Sequence, residues 1–243
     1  MLLTAEKDVK LYLAFETAIF IAIKVCEFTL TRSVTRFVMY AAILGNTAMG
    51  IHLYLRYGKT ASGNRENLIF CALCVNCVAD IFLTLISGPT VYVPGFACFC
   101  AVEAIYAAYL RPDGRNLRIR ALVFAASLLF ANSMRLLTLP NALGLLNLSL
   151  LGVNVVCAWL ARRREQTLSA LLFACGLTSF LIGDMSVALE ITLPAGTAAQ
   201  RIATLAVWTF YVPAQVLIVL SYREALRPAA KHGGNGTSLK FLR

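Results

Sequence analysis

Asp80 and Asp184 are the two residues whose type and setting are most suited to chemistry. Each lies inside a long apolar run, LIFCALCVNCVADIFLTLIS and LLFACGLTSFLIGDMSVALE. A charged side chain at the centre of a bilayer helix costs at least ~2.5–3.5 kcal/mol, so a carboxyl group kept there marks a site. Tyr106 follows Asp80 by 26 residues and Tyr211 follows Asp184 by 27, so the two pairs repeat at offsets of 104 and 105. Two carboxyl groups sharing a low-dielectric pocket resist ionising together, which leaves one to donate a proton and the other to act as an anion. Asn76 stands one helical turn before Asp80 and shares its face. Glu103 and Tyr106 on one apolar run, with Tyr211 and Gln215 on another, supply further polar groups. The same residues also suit a plainer role, hydrogen bonds that hold helices together.

The elements that carry these residues are read from composition. Of the 243 residues, 59% are hydrophobic and only 14% charged. Apolar runs of about 20 residues, each long enough to cross a hydrocarbon core of roughly 30 Å, recur along the whole chain. Eight spans are expected, at 10–30, 37–57, 68–87, 91–110, 118–138, 141–161, 167–190 and 201–222. The fold class is therefore all-α, a polytopic bundle of eight transmembrane helices over residues 1–222, followed by a polar and disordered tail at 223–243. No cleavage site of small residues follows the first apolar run, so that run reads as a retained helix. Glu16, Lys24 and Glu27 make it the most polar span. Lys24 and Glu27 are spaced to neutralise each other, and Glu16 has no evident partner.

The net charge of +10 does not point to nucleic acid. With eight spans, seventeen of the 22 Lys and Arg residues fall on the side of the termini, four on the other side and one, Lys24, within the first span. That asymmetry places both termini in the cytoplasm. Arg162, Arg163 and Arg164 suit acidic headgroups of membrane lipids, although topology alone accounts for them. All eight cysteines fall inside spans, where loop-stapling disulfides do not form. Cys71, Cys74 and Cys77 recur every three residues with no histidine beside them, so they read as small packing residues and not as a metal site. Trp159 and Trp208 read as interfacial anchors.

Asp80 lies about seven residues before the outer end of its span and Asp184 about six, which puts both roughly 10 Å below the outer interface. The repeated pairs are compatible with a four-plus-four parallel duplication.

Two segment pairs carry a resemblance. VADIFLTL followed by PGFACFCAVEAIYAAYL, and FLIGDMSVALEITLP followed by WTFYVPAQVLIVLSY, resemble the two motif pairs of the lysoplasmalogenase (YhhN-like) membrane family. The family patterns are Gly-Asp-x-x-Leu then His-x-x-Tyr, and Ser-Asp then Tyr-x-x-x-Gln-x-Leu-Ile. The resemblance implies a hydrolase that cleaves the vinyl ether of a lysoplasmalogen to a fatty aldehyde and a glycerophospho-base. By position it implies Asp80 and Asp184 as the catalytic acids, with Tyr106, Tyr211 and Gln215 in the pocket. It implies a lysophospholipid substrate drawn from the bilayer, and neither metal nor organic cofactor. Glu103 stands where the family has histidine, Ala79 replaces a glycine and Gly183 a serine. Arg36 aligns loosely with a family lysine and is the candidate phosphate contact.

A transporter or lipid-binding protein of the same fold is the competing expectation, since carriers also keep carboxylates at mid-bilayer. A retinal-type receptor is disfavoured because the last two spans have no lysine.

Overall fold

The structure, a computed structural model, describes residues 2–29, 32–58, 65–86, 89–111, 114–133 and 138–227. Among them are eight α-helices and no strand: α1 (Leu2–Thr29), α2 (Arg32–Leu53), α3 (Asn67–Asp80), α4 (Tyr92–Leu110), α5 (Gly114–Ser133), α6 (Leu139–Glu165), α7 (Leu168–Thr192) and α8 (Ala198–Leu226). The expected tail beyond 227, Arg135, and most of the loop at 58–67 lie outside the described residues. The last helix continues to Leu226, four residues past the expected end of its span.

Six helices (α2, α3 with the turn after it, α4, α6, α7 and α8) are long and apolar enough to cross a membrane. α1 and α5 fall short of that mark, because Glu16, Lys24 and Glu27 interrupt the first and Arg118 and Arg120 the second. The outside of the bundle is apolar, and buried polar groups are held inside it among a hydrophobic core. Leu11 and Phe28 are each 74% exposed, while Glu103 and Asn154 are fully buried. That arrangement is what a lipid surround selects.

Local chemistry sets the helix ends. Thr138, Thr167 and Thr197 precede α6, α7 and α8, and their hydroxyls accept from the main chain of Asn141, Ala170 and Gln200. Gln200 also reaches back to the Gly196 N–H at 2.7 Å, a reciprocal cap. α4 and α6 end on Arg111 and Gln166, both left-handed at φ 51°. α7 and α8 approach closely at Gly176, where a Cβ would stand 2.9 Å from Ile218 Cγ1 and 3.2 Å from the Ala214 carbonyl.

Contacts at one end of the bundle fix its topology. Asp8 meets Arg56, Asn67 meets Tyr222, Arg65 meets the Tyr109 carbonyl and Glu165, and Ser169 meets Ser221. The start of the chain and the end of α8 therefore share that end, as an even number of crossings requires. Inside α1, Lys24 pairs with Glu27 at 2.9 Å and also donates to the Leu205 carbonyl of α8.

One expectation is corrected at the most informative place. The third span does not run as a single α-helix to 87: its α winding stops at Asp80 and a π-helical turn follows at Ile81–Leu85. The Ile86 N–H donates to the Ile81 carbonyl at 3.1 Å, five residues back. Such wide turns concentrate at functional sites.

Candidate functional site

Asp80, at that change of winding, is 4% exposed. Its Oδ2 accepts from Asn76 Nδ2 at 2.8 Å and from the Tyr211 hydroxyl. Asn76 also donates to the Tyr211 oxygen at 2.8 Å, so the three side chains close a triangle between α3 and α8. Phe180 and Trp208 hold the Tyr211 ring, with centroids 5.2 and 5.3 Å away.

Asp184, on α7, is partly exposed and accepts from Asn147 Nδ2 of α6 at 2.7 Å. The preceding Gly183 lets α8 come close: a Cβ there would lie 3.6 Å from the Val207 carbonyl and 3.7 Å from the Tyr211 nitrogen. Asp184 is thus level with the main chain of Tyr211, whose side chain reaches Asp80.

Glu103, on α4, is fully buried. Its Oε2 accepts from Asn154 Nδ2 at 2.6 Å, and the same nitrogen donates to the Glu103 carbonyl at 2.9 Å. Asn147 and Asn154 are seven residues apart on α6, two turns along one face, so Asp184 and Glu103 sit on levels about 10 Å apart. Each of the three acids has an asparagine donating to it: Asn76, Asn147 and Asn154.

Of the residues expected in the pocket, Asn76 and Tyr211 bond Asp80 directly. Gln215 is one turn along α8 from Tyr211, 2% exposed, with Nε2 unpartnered among the described residues. Tyr106 is buried edge-on against Phe173 at 5.4 Å, and its hydroxyl has no partner among the described residues. The two Asp–Tyr pairs therefore do not form two matching bonds, since the tyrosine of the second pair bonds the aspartate of the first. Arg36 is half-buried on α2. α2 and α3 run antiparallel, with Gly50 facing Leu73 and Tyr40 contacting Cys77 Sγ at 3.4 Å. One turn further outward, that register sets Arg36 level with Asp80.

Three residues of the site are not evident from the sequence reading: Asn147, Asn154 and Arg120. The seven-residue spacing of the two asparagines was a usable signal of a shared helix face. Arg120, one of the seventeen basic residues on the side of the termini, is 5% exposed inside the bundle, whereas Arg118 is exposed. Trp208 is likewise packed on Tyr211 and is not an interfacial anchor.

Around the three acids, Asn76 Oδ1, Asn147 Oδ1, Glu103 Oε1, the Tyr106 hydroxyl and Gln215 Nε2 are buried without a partner among the described residues. Buried polar atoms are nearly always paired, so a group of five around one set of acids suits a polar ligand. Donors, acceptors and carboxyl groups together are equipped for proton transfer.

Fold and site together define a polytopic helical membrane protein with an acidic, hydrogen-bonded interior. A model of the YhhN family matches residues 28–222, and the chain belongs to that family. No curated protein and no solved structure matches it.

Proposed function

We propose that the protein is a membrane hydrolase of the lysoplasmalogenase type, cleaving the vinyl ether of a lysoplasmalogen taken from the bilayer. The observation that carries the reading is that Tyr211 bonds Asp80 while its main chain packs beside Gly183, the residue before Asp184, in a chain of the YhhN family. Asp184, with one donor on it and partial exposure, gives its proton to the β-carbon of the vinyl group. The double bond becomes an oxocarbenium ion, which the Asp80 carboxylate stabilises electrostatically. Water adds its oxygen to the cationic carbon and returns a proton to Asp184. The hemiacetal then breaks its bond to the glycerol oxygen, releasing the fatty aldehyde and the glycerophospho-base. Arg36, level with Asp80, is the proposed contact for the lipid phosphate, and Tyr106 and Gln215 line the pocket.

The purified protein in vesicles containing a lysoplasmalogen is expected to release fatty aldehyde, and to leave the saturated-ether analogue intact. The winding change at Asp80 favours one second reading, a carrier that binds substrate or protons at the acids. Substrate flux across proteoliposomes with no aldehyde formed would support the carrier and contradict the hydrolase.

A further inference from the structure

Arg120 is a buried charge that the proposed chemistry leaves unused. It lies six residues into α5 and is 5% exposed. A guanidinium keeps its charge under all conditions a protein meets, and burying one without an anion is strongly unfavourable. Its Nη2 donates to Asn154 Oδ1 at 2.7 Å and its Nη1 to the Leu150 carbonyl at 3.3 Å, both neutral acceptors. The nearest carboxyl group stands one residue further. Asn154 turns its oxygen to Arg120 and its nitrogen to Glu103, donating at 2.6 Å to the carboxylate. The orientation of that amide is fixed by Arg120, because a guanidinium only donates and so takes the amide oxygen, which leaves the amide nitrogen facing Glu103. The amide dipole is thus aligned between cation and anion, through residues contributed by α5, α6 and α4.

We infer that Arg120 is the counter-ion of Glu103, its charge relayed across the Asn154 amide, and that it is a positioning residue which lets this site hold a third acid. With Glu103 balanced in this way, Asp80 and Asp184 remain a two-carboxyl unit that shares one proton. The role in catalysis rests on the hydrolase reading; the charge pairing does not.

A double-mutant cycle of Arg120→Met and Glu103→Gln in the full-length protein, reconstituted in lipid, tests the pairing. Thermal unfolding is the first readout and needs no substrate. Arg120→Met strands a buried carboxylate and is expected to lower the melting temperature by on the order of 10 °C. Adding Glu103→Gln removes the stranded charge and is expected to recover at least half of that loss. A steric role for Arg120 would not be repaired by neutralising a residue on another helix. If Arg120→Met yields no folded protein, recovery of folded protein in the double variant is the same positive result. Additive losses, or a double variant as unfolded as Arg120→Met, overturn the pairing. Aldehyde release is the second readout, expected to fall at least tenfold in Arg120→Met and to be partly restored by Arg120→Lys. Inactive wild-type protein with an intact unfolding cycle would sink the hydrolase reading alone, whereas an active wild type with an additive cycle would sink the relay alone.

Discussion

Tyr211 donates its phenolic proton to Asp80 while its main chain lies against Gly183, the residue before Asp184. One side chain therefore ties α3 to α8 at the level where α7 brings in the second aspartate. The relationship joins the two halves of the chain, since the tyrosine belongs to the later motif pair and the aspartate to the earlier one.

Removing that hydroxyl is expected to weaken the acid pair without dismantling the bundle. Hydrogen bonds to charged groups contribute ~1.5–3 kcal/mol, so Tyr211→Phe is expected to slow aldehyde release about 10–100-fold. Asn76 still donates to Asp80 in the variant. Initial rates measured beside a melting curve check this: a large rate loss with little change in melting temperature is the expected outcome.

Asn147 is the donor on Asp184. Asn147→Leu leaves that carboxyl group without this amide and is expected to reduce turnover by about tenfold or more, at a cost of ~1–3 kcal/mol for a buried polar group left unsatisfied. Turnover equal to wild type would show that the asparagine only packs.

Close approach of α7 and α8 positions Tyr211, and glycine makes it possible. At Gly176 a Cβ meets Ile218 Cγ1 at 2.9 Å and the Ala214 carbonyl at 3.2 Å, and the carbonyl cannot swing aside. Gly176→Val is expected to cost ~1–3 kcal/mol through overpacking. Gly152, on α6, has nothing within 4 Å of its Cβ position, so Gly152→Ala is expected to be neutral or stabilising by up to ~1 kcal/mol. Thermal unfolding of the two variants separates them.

The helical fold was legible because lipid imposes a coarse rule, long apolar runs divided by short polar turns. Asp80 and Asp184 were legible because a carboxyl group in such a run is costly. The winding change after Asp80 was not, because IFLTL has nothing to distinguish it from ordinary helix. The burial of Arg120 was not legible because Arg118 and Arg120 are the same residue type in the same neighbourhood. Only the 200° between them around a helix decides that one faces out and the other in. The bond from Tyr211 to Asp80 was hidden by the regularity of the sequence, which suggested two parallel pairs where the fold crosses them. Asn147 and Asn154 were legible in principle as two polar groups on one face of an apolar helix.

The central claim is that Asp80 and Asp184 act together on a vinyl ether, and aldehyde release by Asp80→Asn and Asp184→Asn tests it most directly. Acid–base groups contribute typically 10²–10⁴-fold, so each substitution is expected to reduce the rate at least ~100-fold in protein that still unfolds cooperatively. Release at the wild-type rate by either folded variant would contradict the account.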